Sequence, residues 1–183
     1  MVRAAHRWRP STCTIADGDA AGAAIKQLYS PGVTEGFRTT LVAFAAVGLG
    51  LTWQAVRTSM IPASSPDRLV SELRLAQVIA LLLAMSAGAY VGLAVAHEAQ
   101  LGVGFDVALA IGFFVVAAAT LVRDPHQALT MLAFGFAAHA VLDVAHRPGW
   151  PLPDEMAPRW YSIGCAVFDV YIGALCYLPI LRR

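Results

Sequence analysis

His139, Asp143 and His146 close one apolar run of this chain, and Cys165 and Asp169 open the next. Ionisable groups are expensive in hydrocarbon, so inside spanning segments they point by default to a functional site. Successive helical residues turn by about 100°, which puts His139, Asp143 and His146 within roughly 60° of one another on one face. On the following run Tyr161, Cys165 and Asp169 form an i, i+4, i+8 stripe. Two histidines and two aspartates suit a divalent cation such as Zn²⁺, which takes imidazole nitrogen and carboxylate oxygen in four-coordinate geometry. With His139, His146 and Asp169 as ligands, and Asp143 as a fourth ligand or an outer partner, room remains for a water. A bound cation lowers the pKa of that water and makes a nucleophile near neutral pH. Asp106 or Glu98 is then the candidate catalytic base, provided the fold brings one within hydrogen-bond reach. The same residues also fit a buried His–Asp tie between helices, or a proton, haem or transport relay.

Positioning these groups requires membrane-spanning helices. Five apolar runs are expected to be helical: Thr39–Val56, Leu75–Ala96, Leu101–Val122, Ala128–Ala145 and Trp160–Leu181. Crossing about 30 Å of hydrocarbon takes roughly 20 residues at 1.5 Å each. The second, third and fifth runs meet that length, while the first and fourth are shorter. Short connections after the second and third runs, and the longer His146–Arg159 loop, predict an all-α, up-down bundle of antiparallel neighbours. Gly88 and Gly92 would let another helix approach the second span closely. Measured from the helix ends, His139 lies about 10 Å and Asp169 about 13 Å deep, so the two are expected to meet. Tyr90, Ala94 and His97 on the second run, then Glu98, and Asp106 about 7 Å into the third, gather toward the same end. The opposite half reads as almost purely apolar.

The composition agrees. Of 183 residues, 58% are hydrophobic and 14% charged, with a mean hydropathy of +0.62. Soluble domains are nearer 45–50% apolar and about 25% charged. A formal charge of +1 without a basic stripe gives no case for nucleic acid. Membrane lipids are the expected surroundings, and a homo-oligomer or a larger membrane complex is compatible with them. Cys13, Cys165 and Cys176 form neither a disulfide framework nor a CxxC metal knuckle. Residues 1–36 read as a polar tail, mobile or interfacial. Arg3, Arg7 and Arg9 are not followed by the apolar core of a signal peptide. Ala20–Tyr29 can form a short helix before a break at Ser30-Pro31-Gly32. Met60 is a second candidate start.

Orientation follows from basic residues near the span ends. Near the membrane one side carries Arg57, Arg68, Arg74, Arg123, Arg182 and Arg183 and the other Arg38, Arg147 and Arg159, six against three; counting the four basic residues of the distant tail makes it six against seven. The asymmetry near the membrane predicts a cytoplasmic C-terminus and an outward His146–Arg159 loop. Trp150 and Trp160, with the prolines between them, suit a rigid interfacial loop.

The stretch from His139 to Asp169 resembles a group of small bacterial integral membrane proteins of the domain-of-unknown-function type. Its pattern is H-x3-D-x2-H, a proline-containing loop, then G-C-A-x2-D. Here these are His139, Asp143 and His146, then Gly164, Cys165, Ala166 and Asp169. The likeness covers about four spans, leaves the first 60 residues outside, and implies a multi-pass protein of the bacterial inner membrane. Leu142 and Arg147 depart from the Trp and second His usual in the group, so the resemblance does not carry a ligand role over to position 147. In chemistry alone the chain is similar to the alkaline ceramidase and adiponectin-receptor hydrolases, which build zinc sites from His and Asp on spanning helices. That analogy implies a metal-dependent hydrolase of a lipid or other amphiphile.

Overall fold

The computed structural model describes residues 31–96, 103–146 and 159–181. Those residues form five helices: α1 (Pro31–Met60), α2 (Pro66–Ala96), α3 (Val103–Thr120), α4 (Pro125–Ala145) and α5 (Arg159–Leu181). Two compact units are distinguished, Met1–Leu41 and Val42–Arg183. Of the first unit the described part is the opening of α1, where Thr39 and Thr40 donate hydroxyls back to the carbonyls of Glu35 and Gly36. The second is an all-α bundle. Four of the helices are long and apolar enough to cross a membrane, and the chain is a multi-pass membrane protein.

Local chemistry fixes the helix ends. Pro31, Pro66 and Pro125 each start a helix, where the missing N–H is one that the first turn cannot pair anyway. Pro31 therefore begins α1 instead of breaking the chain, and residues 31–36, expected in the tail, belong to the helix. Asp124 caps α4 by accepting the Gln127 N–H at 3.1 Å. The preceding turn is tightened by Leu121 N–H donating to Ala118 O at 3.1 Å. It consumes Leu121 and Val122, so α3 has 18 residues instead of the expected 22-residue span. At about 27 Å it is the short helix of the five. By contrast α4, expected to be marginal, has 21 residues and is the most enclosed, with 56% of its apolar window buried against 17% for α1.

The core is a layer of aliphatic and aromatic side chains. Leu75, Ile79 and Leu83 of α2 meet Leu129, Leu132 and Phe136 of α4 and Ile172 of α5, all fully buried. The opposite faces of these helices keep large apolar residues exposed, among them Leu81, Met85, Val115, Val141 and Val167, as a lipid-facing surface requires. Close approaches occur at glycines other than those expected. A Cβ on Gly135 would lie 3.0 Å from Leu83 Cδ2, and one on Gly48 3.3 Å from the Tyr171 ring. Gly88 only reaches ordinary contact with Phe114, and Gly92 faces open space. Phe44 of α1 stacks on Phe168 of α5 with ring centroids 4.4 Å apart, and Thr52 hydrogen-bonds Tyr171. The contacts rise together along the two helices, so α1 and α5 run parallel.

The half expected to be almost purely apolar is not. Arg68 (3% exposed) and Glu72 (1%) are buried there with Thr58, Ser59 and Thr120. The Arg68 guanidinium donates to Glu72 Oε1 at 2.7 Å, and to the carbonyls of Ile61 at 2.7 Å and Pro179 at 2.6 Å. Carbonyls left without partners where a helix ends demand donors, and Arg68 supplies them across three helices.

Candidate metal centre

The end of the bundle opposite Arg68 holds His139, Asp143 and Asp169, exposed by 2%, 4% and 2%. They approach from two helices. On α4, His139 and Asp143 are four residues apart and so share one face; on α5, Asp169 sits ten residues from the start of the helix. His139 Nδ1 lies 2.6 Å from Asp169 Oδ2 and 3.6 Å from Asp143 Oδ2. One ligand-type atom from each of the three falls within 4.8 Å of the others. Tyr90 of α2 donates its hydroxyl to Asp143 Oδ1, which fixes the carboxylate and leaves Oδ2 turned toward the histidine.

The pocket around the trio is aromatic. The His139 ring meets Tyr90 edge-on at 5.2 Å and Phe113 of α3 at 4.9 Å. His139 Nε2 and Asp143 Oδ2 are buried without hydrogen-bond partners among the described residues. Buried polar atoms normally have partners, and Asp143 Oδ2, which faces Nδ1, is the orphan that gives a reason to look for a missing ion between the acids; Nε2 is not the nitrogen that faces them. Tetrahedral zinc, with bonds of about 2.0–2.1 Å, separates its ligand atoms by about 3.3 Å. The His139–Asp143 separation is already close to that. Asp169 would have to withdraw by about 0.7 Å, exchanging its hydrogen bond for coordination.

His146, expected as a ligand, does not join the trio. Its Nδ1 is 2.7 Å from Leu142 O and its Nε2 is 3.0 Å from Asp106 Oδ1. A carbonyl only accepts, so Nδ1 carries a proton, and Nε2 is taken up by the carboxylate. Neither ring nitrogen has a lone pair free for a metal. Asp106, expected as a base, is 1% exposed and partnered by His146, with Oδ2 unpaired among the described residues. This second His–Asp pair joins α3 to α4. It lies one ring from the trio, because Tyr90 also contacts His146 at 5.5 Å between centroids. Glu98 and His97, expected at this end, lie outside the described residues, as do Arg147 and most of the loop before Arg159. Cys165 is a half-buried thiol that is not one of the trio.

Sequence reasoning placed Tyr90 at the polar end without giving it a role and passed over Phe113. Tyr90 was within reach of the same depth argument, six residues before the end of α2. Phe113 carried no signal, since an aromatic in an apolar helix is unremarkable until the packing is known. On the outer faces of α4 and α5, at the level of the trio, runs an apolar groove of about 680 Å³ lined by Val141, Val144, Val167 and Val170 with intervening alanines.

Comparison with known proteins adds no relative. No protein-family model, no curated protein and no solved structure matches the chain.

Proposed function

We propose that this membrane protein holds a divalent metal, zinc being the best fit, on His139, Asp143 and Asp169, and uses it to hydrolyse a lipid or other amphiphile. One observation carries the reading: three ligand-type side chains from two helices converge in a buried pocket, and Asp143 Oδ2, one of the oxygens facing His139 Nδ1, is left without a hydrogen-bond partner among the described residues. Three protein ligands leave the fourth position of a tetrahedral ion to water or substrate, the arrangement of catalytic zinc. Metal-bound water would be the nucleophile. Tyr90 would act on Asp143 from outside the coordination sphere, holding one oxygen so that the other faces the ion. The apolar groove at the same depth supports a substrate that arrives from hydrocarbon. The distribution of arginines supports a cytoplasmic C-terminus, and the resemblance over His139–Asp169 supports the bacterial inner membrane.

A tie between helices is the second reading. It is favoured by the 2.6 Å His139–Asp169 contact, which already joins α4 to α5. A relay across the membrane has less support, because a buried apolar layer from Leu75 to Leu83 and from Leu129 to Phe136 separates the two polar ends. The experiment is metal analysis of protein purified without chelator, beside an Asp169→Asn variant, followed by incubation of both with a bacterial lipid extract monitored by mass spectrometry. The proposal expects metal in the wild type, little in the variant, and metal-dependent loss of a lipid species. Wild-type protein that stays metal-free after zinc is supplied overturns the site. Bound metal with no lipid turned over overturns the hydrolase.

A further inference from the structure

Far from the trio, residues of α1 and α2 line a cavity of about 740 Å³, among them Trp53, Gln54, Arg57, Asp67, Ser71 and Arg74. Its two arginines hold equivalent places in the sequence. Arg57 directly follows the apolar run that ends at Val56, and Arg74 directly precedes the one that begins at Leu75. On neighbouring helices of opposite direction, two such residues mark the same boundary between hydrocarbon and headgroups. Both are exposed, and neither forms an ion pair with a described residue. Arg68, close in sequence, is unavailable, being buried against Glu72 and backbone carbonyls.

We propose that this cavity binds the headgroup of an anionic glycerophospholipid, its phosphate held between Arg57 and Arg74. Guanidinium groups present planar pairs of N–H donors that match phosphate oxygens. Basic pockets between spanning helices on the side facing the cytoplasm are recurrent sites for acidic headgroups. Trp53, 72% exposed, stands on the membrane side of Arg57, where an indole ring borders acyl chain and headgroup together. Exposed Leu49 and Val42 continue the apolar path along α1 for the chains. Asp67 adds one carboxylate at the rim. It disfavours a second negative charge and gives an acceptor for headgroup hydroxyls, so a singly charged phosphatidylglycerol fits better than a multiply charged lipid. Ser71, which lines the cavity, is hydrogen-bonded to Thr58 at 2.6 Å, a contact that ties α1 to α2.

The test uses the full chain in phosphatidylcholine nanodiscs doped with phosphatidylglycerol, with native mass spectrometry counting the lipid retained after delipidation. Wild-type protein is expected to keep phosphatidylglycerol in preference to phosphatidylcholine. A direct charge-assisted hydrogen bond from a guanidinium to phosphate contributes about tenfold or more, so Arg57→Gln with Arg74→Gln together should weaken retention by about 100-fold. The paired Lys variants, which keep the charge, should lose much less, and Arg123→Gln, outside the cavity on the same side, should change nothing. Equal loss in Arg123→Gln would mean general surface attraction and would overturn the proposal. So would unchanged retention in the paired Gln variants while they remain folded. Displacement by inorganic phosphate would assign the cavity to a free anion, and preference for phosphatidylethanolamine would assign it to a zwitterion; either result rejects an anionic lipid.

Discussion

Replacing His139 with alanine separates the metal reading from a structural one. The imidazole is 2% exposed and lies 2.6 Å from one aspartate and 3.6 Å from the other. Its removal leaves two buried carboxylates facing each other across α4 and α5, with only the Tyr90 hydroxyl as a described partner. Two magnitudes compete. An interhelical hydrogen bond in a membrane bundle averages about 0.6 kcal/mol, whereas deleting one partner of a buried charged pair costs about 3–5 kcal/mol. The second applies here because both acids are buried; protonation of one of them relieves part of the cost, giving a loss near the lower bound of about 3 kcal/mol. Metal affinity should fall by more than 100-fold, since even partners outside the coordination sphere contribute 10–100-fold. Unfolding in detergent, with and without added zinc, reads both effects. At a zinc concentration of 100 times Kd, wild-type protein gains about 2.7 kcal/mol, and His139→Ala gains at most about 0.4 kcal/mol. His146→Ala keeps the gain, because its ring nitrogens are engaged by Leu142 and Asp106. If zinc leaves wild-type stability unchanged and His139→Ala unfolds like wild type, neither a metal centre nor a helix tie survives.

Other outcomes follow from packing and charge. Arg68→Ala should lower stability by about 3–5 kcal/mol, because Glu72 is left buried without its cation. Arg68→Lys should recover only part of it, since an ammonium cannot reproduce a fork that spans Glu72, Ile61 and Pro179; chemical denaturation of the two variants checks this. Gly173→Ala should stabilise by up to about 1 kcal/mol through helix propensity, because the new Cβ meets nothing nearer than Ala133 O at 3.5 Å. Gly135→Ala should lose that gain or become destabilising, its Cβ being 3.0 Å from Leu83, and melting curves of the pair compare them. In a background free of other cysteines, Pro153→Cys should react with an impermeant maleimide on intact cells. Labelling only after lysis would reverse the orientation and move the trio to the cytoplasmic side.

The polar end was legible because an ionisable residue stands out against an apolar helix, and because rise per residue converts position into depth. That argument predicted the meeting of His139 and Asp169, which are in contact. Depth alone could not choose partners. His146 shares a face with His139, yet a third helix claims it through Asp106, and the rotation of α3 against α4 is set by packing that no single helix encodes. Apolarity also overran the true length of α3, since hydropathy continues through Leu121 and Val122 while the hydrogen-bond ladder stops for the Asp124 cap.

Arg68 is the instructive error. Its place before a span made it look like a flanking charge, but Glu72 one turn later and Pro179 inside the last helix were signs of a different role. The Pro179 carbonyl stands in the last turn of α5, where carbonyls have no N–H ahead to accept from, and a guanidinium with an internal counter-ion can satisfy one without facing water. Its burial leaves the arginine asymmetry standing, now five against three. It also gives the bundle a polar layer at each end, with Glu72 and Tyr90 about 27 Å apart along α2. The buried leucines, isoleucines and phenylalanine between them carry no group that can pass a proton or hydrate an ion. A metal or substrate of the proposed site would therefore come from the trio's own end of the bundle or sideways from the lipid, because the buried layer closes the path from the Arg68 end.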